Sequence, residues 1–128
     1  MVRSSFARRV SAWLPPLVAM AIIFAFSASP NPMPAVTAVV WDKLLHATEY
    51  AGLAVLCARA LAAEGVSGPR LVVTAALLAS AYGASDEYHQ SFVPNRESDA
   101  ADWLADTCGA VVGSTGFLAG ASLFGRPS

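Results

Sequence analysis

Charge is what this 128-residue chain has least of. Asp, Glu, Lys and Arg make up 13% of its residues, about half the ~25% of an ordinary soluble domain. That scarcity, beside 55% hydrophobic residues, excludes a disordered chain. A net charge of −1 leaves no basic field to attract a nucleic-acid backbone, so no nucleic-acid partner is expected. Cysteine is scarce too: Cys57 and Cys108 stand far apart with no CxxC spacing, which argues against a disulfide framework. No HExxH, glycine-rich phosphate loop, dinucleotide fingerprint or GxSxG is present, and there is no internal repeat. The length suits one domain, 1–128. What remains is a small membrane protein or an unusually apolar core.

Four apolar stretches stand out, at about 12–28, 44–63, 71–90 and 101–124. Each approaches the ~20 residues a spanning helix needs. The fold class expected is therefore all-α, an integral membrane bundle of four transmembrane helices. Pro15 and Pro16 would sit in the first turns of the first helix, where missing amide donors matter least. A secretory signal is the competing reading of that stretch, because Arg3, Arg8 and Arg9 precede its apolar core. A cut after Ser29 would leave Pro30 as the new terminus, so an uncleaved helix is expected.

The charges are sorted along this frame. With both termini cytoplasmic, Arg3, Arg8, Arg9, Arg59, Arg70 and Arg126 lie inside with Glu64, a local charge of +5. Lys43, Arg96 and eight acids lie outside, a local charge of −6, and the two sides add to the overall −1. Basic residues gather on the cytoplasmic side of membrane proteins. A soluble bundle has no reason to sort its charges this way. The expected location is a membrane crossed several times, with the lipid bilayer as partner.

Three segments bring polar residues to the outer face. Asp42, His46 and Glu49 share a helical face at i, i+4 and i+7. Asp86, His89 and Gln90 close the third stretch, and Asp99, Asp102 and Asp106 lead into the fourth. Beyond Asp106 the same stripe holds Gly109, Gly113, Gly116 and Gly120, a small-residue seam that turns the acids toward the bundle interior. For Asp102 a helix cap is the bland alternative; Asp106 lies a turn too deep for that. Lys43 and Arg96 are the cations available to pair, and Arg96 reads either as a head-group anchor or as a bidentate clamp on phosphate or carboxylate. His46, Glu49, Asp86 and His89 offer ligands for a divalent metal. A hydrogen-bonded histidine–carboxylate network is the preferred reading over that metal. General acid–base chemistry would fall to His46, Asp86, His89 or Asp106.

These residues resemble the VanZ-like family over about 26–115. The resemblance rests on SASPNPMP, WDKLLHATEYAGL and SDEYHQSFVPNRESDAADWLADTCGA. Matching positions are Asp42, Lys43, His46, Tyr50, Asp86, Glu87, Gln90, Arg96, Asp99, Asp102, Asp106 and Gly109. Asn95 stands where the family's turn has glycine, and Asn tolerates a left-handed backbone nearly as well. His89 and Glu49 belong less firmly to the pattern. The resemblance implies a small envelope protein of a bacterial cytoplasmic (inner) membrane, multi-pass, in a family named for a member linked to teicoplanin resistance, and it carries no reaction with it.

The leading expectation is an outer polar pocket that binds or modifies a lipid-linked or glycan head group, built from Asp42, Lys43, His46, Glu49, Asp86, Glu87, Gln90, Arg96, Asp99, Asp102 and Asp106. The alternative is a non-enzymatic scaffold whose polar network fixes helix packing. A cation or proton carrier is disfavoured, because nothing charged continues through Ala51–Leu56 or Val72–Ala79.

Overall fold

A computed structural model of the chain describes residues 4–28, 39–93 and 100–124. They form four helices and no strand: α1 (Ser5–Ser27), α2 (Val39–Ala63), α3 (Gly68–Gln90) and α4 (Ala100–Phe124). α2 lies against all three others, most extensively against α4, while α1 touches α2 and α3. Consecutive helices run antiparallel, so the ends of α1 and α3 meet the beginnings of α2 and α4. Among the described residues, α1 is the helix long and apolar enough to cross a membrane by length and composition.

α1 begins a full two turns before the sequence predicts. Ser4 caps it, its Oγ accepting from the Ala7 amide at 3.1 Å. That early start corrects the placing of the prolines: Pro15 and Pro16 fall inside the helix. A proline at 15 cannot donate to the carbonyl four residues back, that of Ser11. Arg59 of α2 takes up that carbonyl instead, its Nη1 donating at 3.4 Å. The same end of the bundle carries the Arg9–Glu64 ion pair at 3.2 Å and a Trp13 Nε1 bond to Glu64 at 3.4 Å.

The α2–α3 corner is tight because two glycines take backbone conformations that other residues rarely adopt. Gly65 has φ +93° and Gly68 φ +63°. Val66 donates back to the Leu61 carbonyl at 3.0 Å, which closes the last turn of α2. Ser67 then begins α3, with a proline in its first turn.

The core is small-residue and central to α2. Tyr50, Leu53, Ala54, Cys57 and Ala58 pack with Leu71, Ala75 and Ala79 of α3, Ala110 of α4 and Ile23 of α1. Small side chains let the helices approach closely, and α4 comes closest to α2. A Cβ built on Gly109 would lie 2.0 Å from the Ala47 carbonyl oxygen, and one on Gly113 would lie 2.2 Å from that of Ala51. No residue larger than glycine fits at either place without moving a backbone. The glycine stripe ends there. Nothing lies within 4 Å of a Cβ built on Gly116 or Gly120, so the seam runs over half the length the sequence predicts. On the other flank, Trp103 Nε1 donates to the Ser80 carbonyl at 2.9 Å, and Ser80 and Thr107 hydroxyls lie 2.8 Å apart, tying α4 to α3.

The outside of this bundle is apolar. Phe6, Leu14, Leu17, Ile22, Phe24 and Phe26 of α1 are all exposed, as are Leu77 of α3 and Val112 of α4. Asp86, Glu87, Gln90, Asp102, Asp106 and His46 are buried. This is the reverse of a soluble protein's pattern.

Candidate functional site

The buried polar residues collect at one end of the bundle, where α1 and α3 finish and α2 and α4 begin. α2 contributes Lys43, His46 and Tyr50, spaced i, i+3 and i+7. α3 contributes Asp86, Glu87 and Gln90, which continue the buried face of Ala75, Ala79 and Gly83. α4 contributes Asp102 and Asp106, one turn apart, and α1 contributes Ser27.

Two sets of bonds join them. Between α2 and α4, His46 Nδ1 lies 2.8 Å from Asp106 Oδ1, and Lys43 Nζ donates to Asp102 Oδ1. His46 Nε2 also lies 3.8 Å from Asp102 Oδ2. With Nδ1 protonated, His46 donates to the fully buried Asp106 carboxylate. Between α3 and its neighbours, Asp86 Oδ2 accepts from Ser27 Oγ at 2.7 Å and from Tyr50 Oη at 3.3 Å. Asp86 therefore links α1, α2 and α3, while Asp102 and Asp106 link α4 to α2. Hydrogen bonds to charged groups contribute about 1.5–3 kcal/mol each. Stranding one partner of a buried ion pair costs about 3–5 kcal/mol.

The cluster is not closed on itself. Asp86 Oδ1, His89 Nδ1 and Asp106 Oδ2 are buried and have no hydrogen-bond partner among the described residues. Buried polar atoms are nearly always paired, so three at one end of a small protein call for an explanation. Asp106 Oδ2 reaches toward α3, lying 3.0 Å from where a Cβ on Gly83 would stand, with Tyr50 Cε1 3.3 Å from the same point. Gly83 makes the room that this oxygen occupies.

The sequence-predicted residues divide into those brought together and those set apart. His46, Asp86, Glu87, Gln90, Asp102 and Asp106 converge, with Lys43 at the rim, its side chain 30% exposed. Glu49 is exposed: α2 buries His46, Tyr50 and Leu53, and Glu49 falls off that face. His89 turns to α1 and stacks on Phe24 with ring centroids 4.4 Å apart. The four residues considered together as metal ligands from sequence, His46, Glu49, Asp86 and His89, thus point in different directions. One ligand atom from each of His46, Glu87 and Asp106 lies within 4.8 Å of the others. Arg96 and Asp99 lie outside the described residues, and of Asp42 the backbone alone is described. Gly83 escaped the sequence reading, although it stands three residues before Asp86 on one helical face; Ser27 entered it only as the first residue of SASPNPMP, with no role assigned. Cys57 is buried and Cys108 exposed, both as free thiols. Cys108 lines an open apolar groove of about 310 Å³ with Ala47, Ala51, Gly109 and Val112, separate from the polar cluster.

The polar cluster falls on the residues that suggest a VanZ-like chain. A family model, VanZ/LLP1, matches residues 2–122. The chain belongs to the VanZ/LLP1 family. The match reaches further than the 26–115 resemblance and takes in all of α1, the helix that supplies Ser27 and Phe24 to the cluster. Neither the curated proteins nor the solved structures hold a match for this family member.

Proposed function

We propose that this VanZ/LLP1 protein is a multi-pass protein of a bacterial cytoplasmic membrane, with its N- and C-termini cytoplasmic. Its polar cluster, on the outer side, receives the head group of a lipid-linked or glycan envelope molecule. Support for the membrane comes from the apolar exterior of the bundle and from the sorting of charge between its two ends. Support for the head group comes from one observation: buried carboxylate oxygens of Asp86 and Asp106 that no described residue satisfies. Such acceptors suit a ligand rich in hydroxyl or amide donors, as glycans are, and the water-poor surroundings strengthen each bond made there.

The scaffold reading has its own support, since every described polar bond of the cluster ties two helices together. Native mass spectrometry of the full chain, purified from its own membranes, separates the two. The head-group reading predicts a bound species beyond bulk phospholipid that is lost in Asp86→Asn and Gln90→Ala, while membrane abundance persists. Equal adducts in wild type and variants, with lower thermal stability in the variants, would favour the scaffold. Teicoplanin susceptibility of cells carrying these variants, and Arg96→Ala beside them, tests whether the family's namesake phenotype extends to this chain.

A further inference from the structure

We propose that His46, Glu87 and Asp106 bind a divalent transition-metal cation between α2, α3 and α4. Each helix supplies one ligand, and one donor atom from each residue lies within 4.8 Å of the other two. Donors around one tetrahedral zinc-like ion, each at about 2.0–2.2 Å, stand about 3.3–3.6 Å apart. The three side chains close on a cation by moving together by up to about 1.5 Å, with His46 ligating through a deprotonated ring nitrogen and releasing its proton to solvent.

A further observation points to a positive ligand. Asp106 is fully buried, and while Oδ1 is engaged by His46, Oδ2 has no partner among the described residues. That oxygen is aimed at the α3 face that carries Gly83 and, one turn on, Glu87. A buried carboxylate oxygen without a partner carries a large desolvation cost, which a cation beside it offsets.

The donor set selects the ion. One imidazole with two carboxylates suits Zn²⁺, Mn²⁺ or Fe²⁺, whereas Mg²⁺ and Ca²⁺ favour oxygen alone. Three protein ligands leave coordination positions open, a property of catalytic more than of structural metal sites. The inference shares Asp106 Oδ2 with the head-group reading and is tested separately from it, because the cation alone is the probe.

The test uses the full chain in detergent, stripped with chelator and then titrated with Mn²⁺ and, separately, Zn²⁺. Loss of the free Mn²⁺ resonance signal and zinc content after desalting report binding. About one cation per chain is expected. Glu87→Gln and Asp106→Asn should each weaken binding at least tenfold, and Glu64→Gln, at the opposite end, should leave it unchanged. Glu87→Gln keeps size and shape, and helical content and elution volume verify its fold; if Asp106→Asn fails to fold, Glu87→Gln decides. Saturating Zn²⁺ should also raise the melting temperature of wild type and not that of Glu87→Gln. Absence of stoichiometric binding by wild type, or equal binding by folded Glu87→Gln, overturns the site.

Discussion

Replacing Gly109 by alanine adds a single methyl group where the backbone of another helix already stands. The new Cβ would lie 2.0 Å from the Ala47 carbonyl oxygen, 2.7 Å from its carbon and 2.8 Å from its Cα. All three are backbone atoms, so no side chain can swing aside. Reaching an ordinary C···O separation of about 3.3 Å requires α2 and α4 to part by more than about 1 Å. Ala47 follows His46 directly, and Asp106 lies one turn before Gly109, so the same movement stretches the 2.8 Å His46–Asp106 bond beyond hydrogen-bonding range. Overpacking costs about 1–3 kcal/mol, and losing a charge-assisted bond adds about 1.5–3 kcal/mol. Alanine's better helix propensity returns about 1 kcal/mol. A net loss of about 1.5–5 kcal/mol follows. Gly116→Ala is the control, because nothing lies within 4 Å of its Cβ, and it should be neutral or stabilising by up to about 1 kcal/mol. Denaturant unfolding in mixed micelles, followed by tryptophan fluorescence, measures both. Gly109→Ala as stable as Gly116→Ala would refute the packing account.

Ser27→Ala removes the 2.7 Å bond to Asp86 and should lower stability by about 1–3 kcal/mol in the same unfolding assay. Lys43→Met strands the carboxylate of Asp102, whose side chain is 7% exposed, and should cost about 1–3 kcal/mol, with solvent at the rim softening the loss. Arg9→Ala, in an exposed pair at the other end, should cost under about 1 kcal/mol; equal losses for Lys43→Met and Arg9→Ala would contradict the difference in burial. Gly83→Ala crowds Asp106 Oδ2 at 3.0 Å and should weaken Mn²⁺ binding while the helix content stays unchanged. Reporter fusions should place a C-terminal tag in the cytoplasm, and a periplasmic tag would reverse the assigned orientation.

Much of the architecture was legible in the order of residues because helix formation and burial are local and periodic. Four apolar stretches became four helices, with limits that moved most at the starts of α1 and α2; Ser4 caps α1 early and draws Pro15 and Pro16 into its interior. The inward turn of Asp102 and Asp106 was readable as well, because they share a stripe with Gly109 and Gly113.

Which side chains meet was another matter. Periodicity states that His46 and Glu49 are near one face, but the choice of face belongs to the neighbours. α2 turns Tyr50 and Leu53 into the core, and that rotation buries His46 and exposes Glu49. Asp86, Glu87 and His89 are adjacent in sequence, yet the crossing of α3 between α1, α2 and α4 sends them apart: Asp86 to Ser27, His89 to Phe24, and Glu87 toward His46 and Asp106. The sequence by itself determined the helices, the sorting of scarce charge to their ends and the family, since each depends on local pattern. The tertiary structure alone decided that His46, Glu87 and Asp106 form one group and that Gly83 makes room for it, because distances between helices are set by packing, which no single segment encodes.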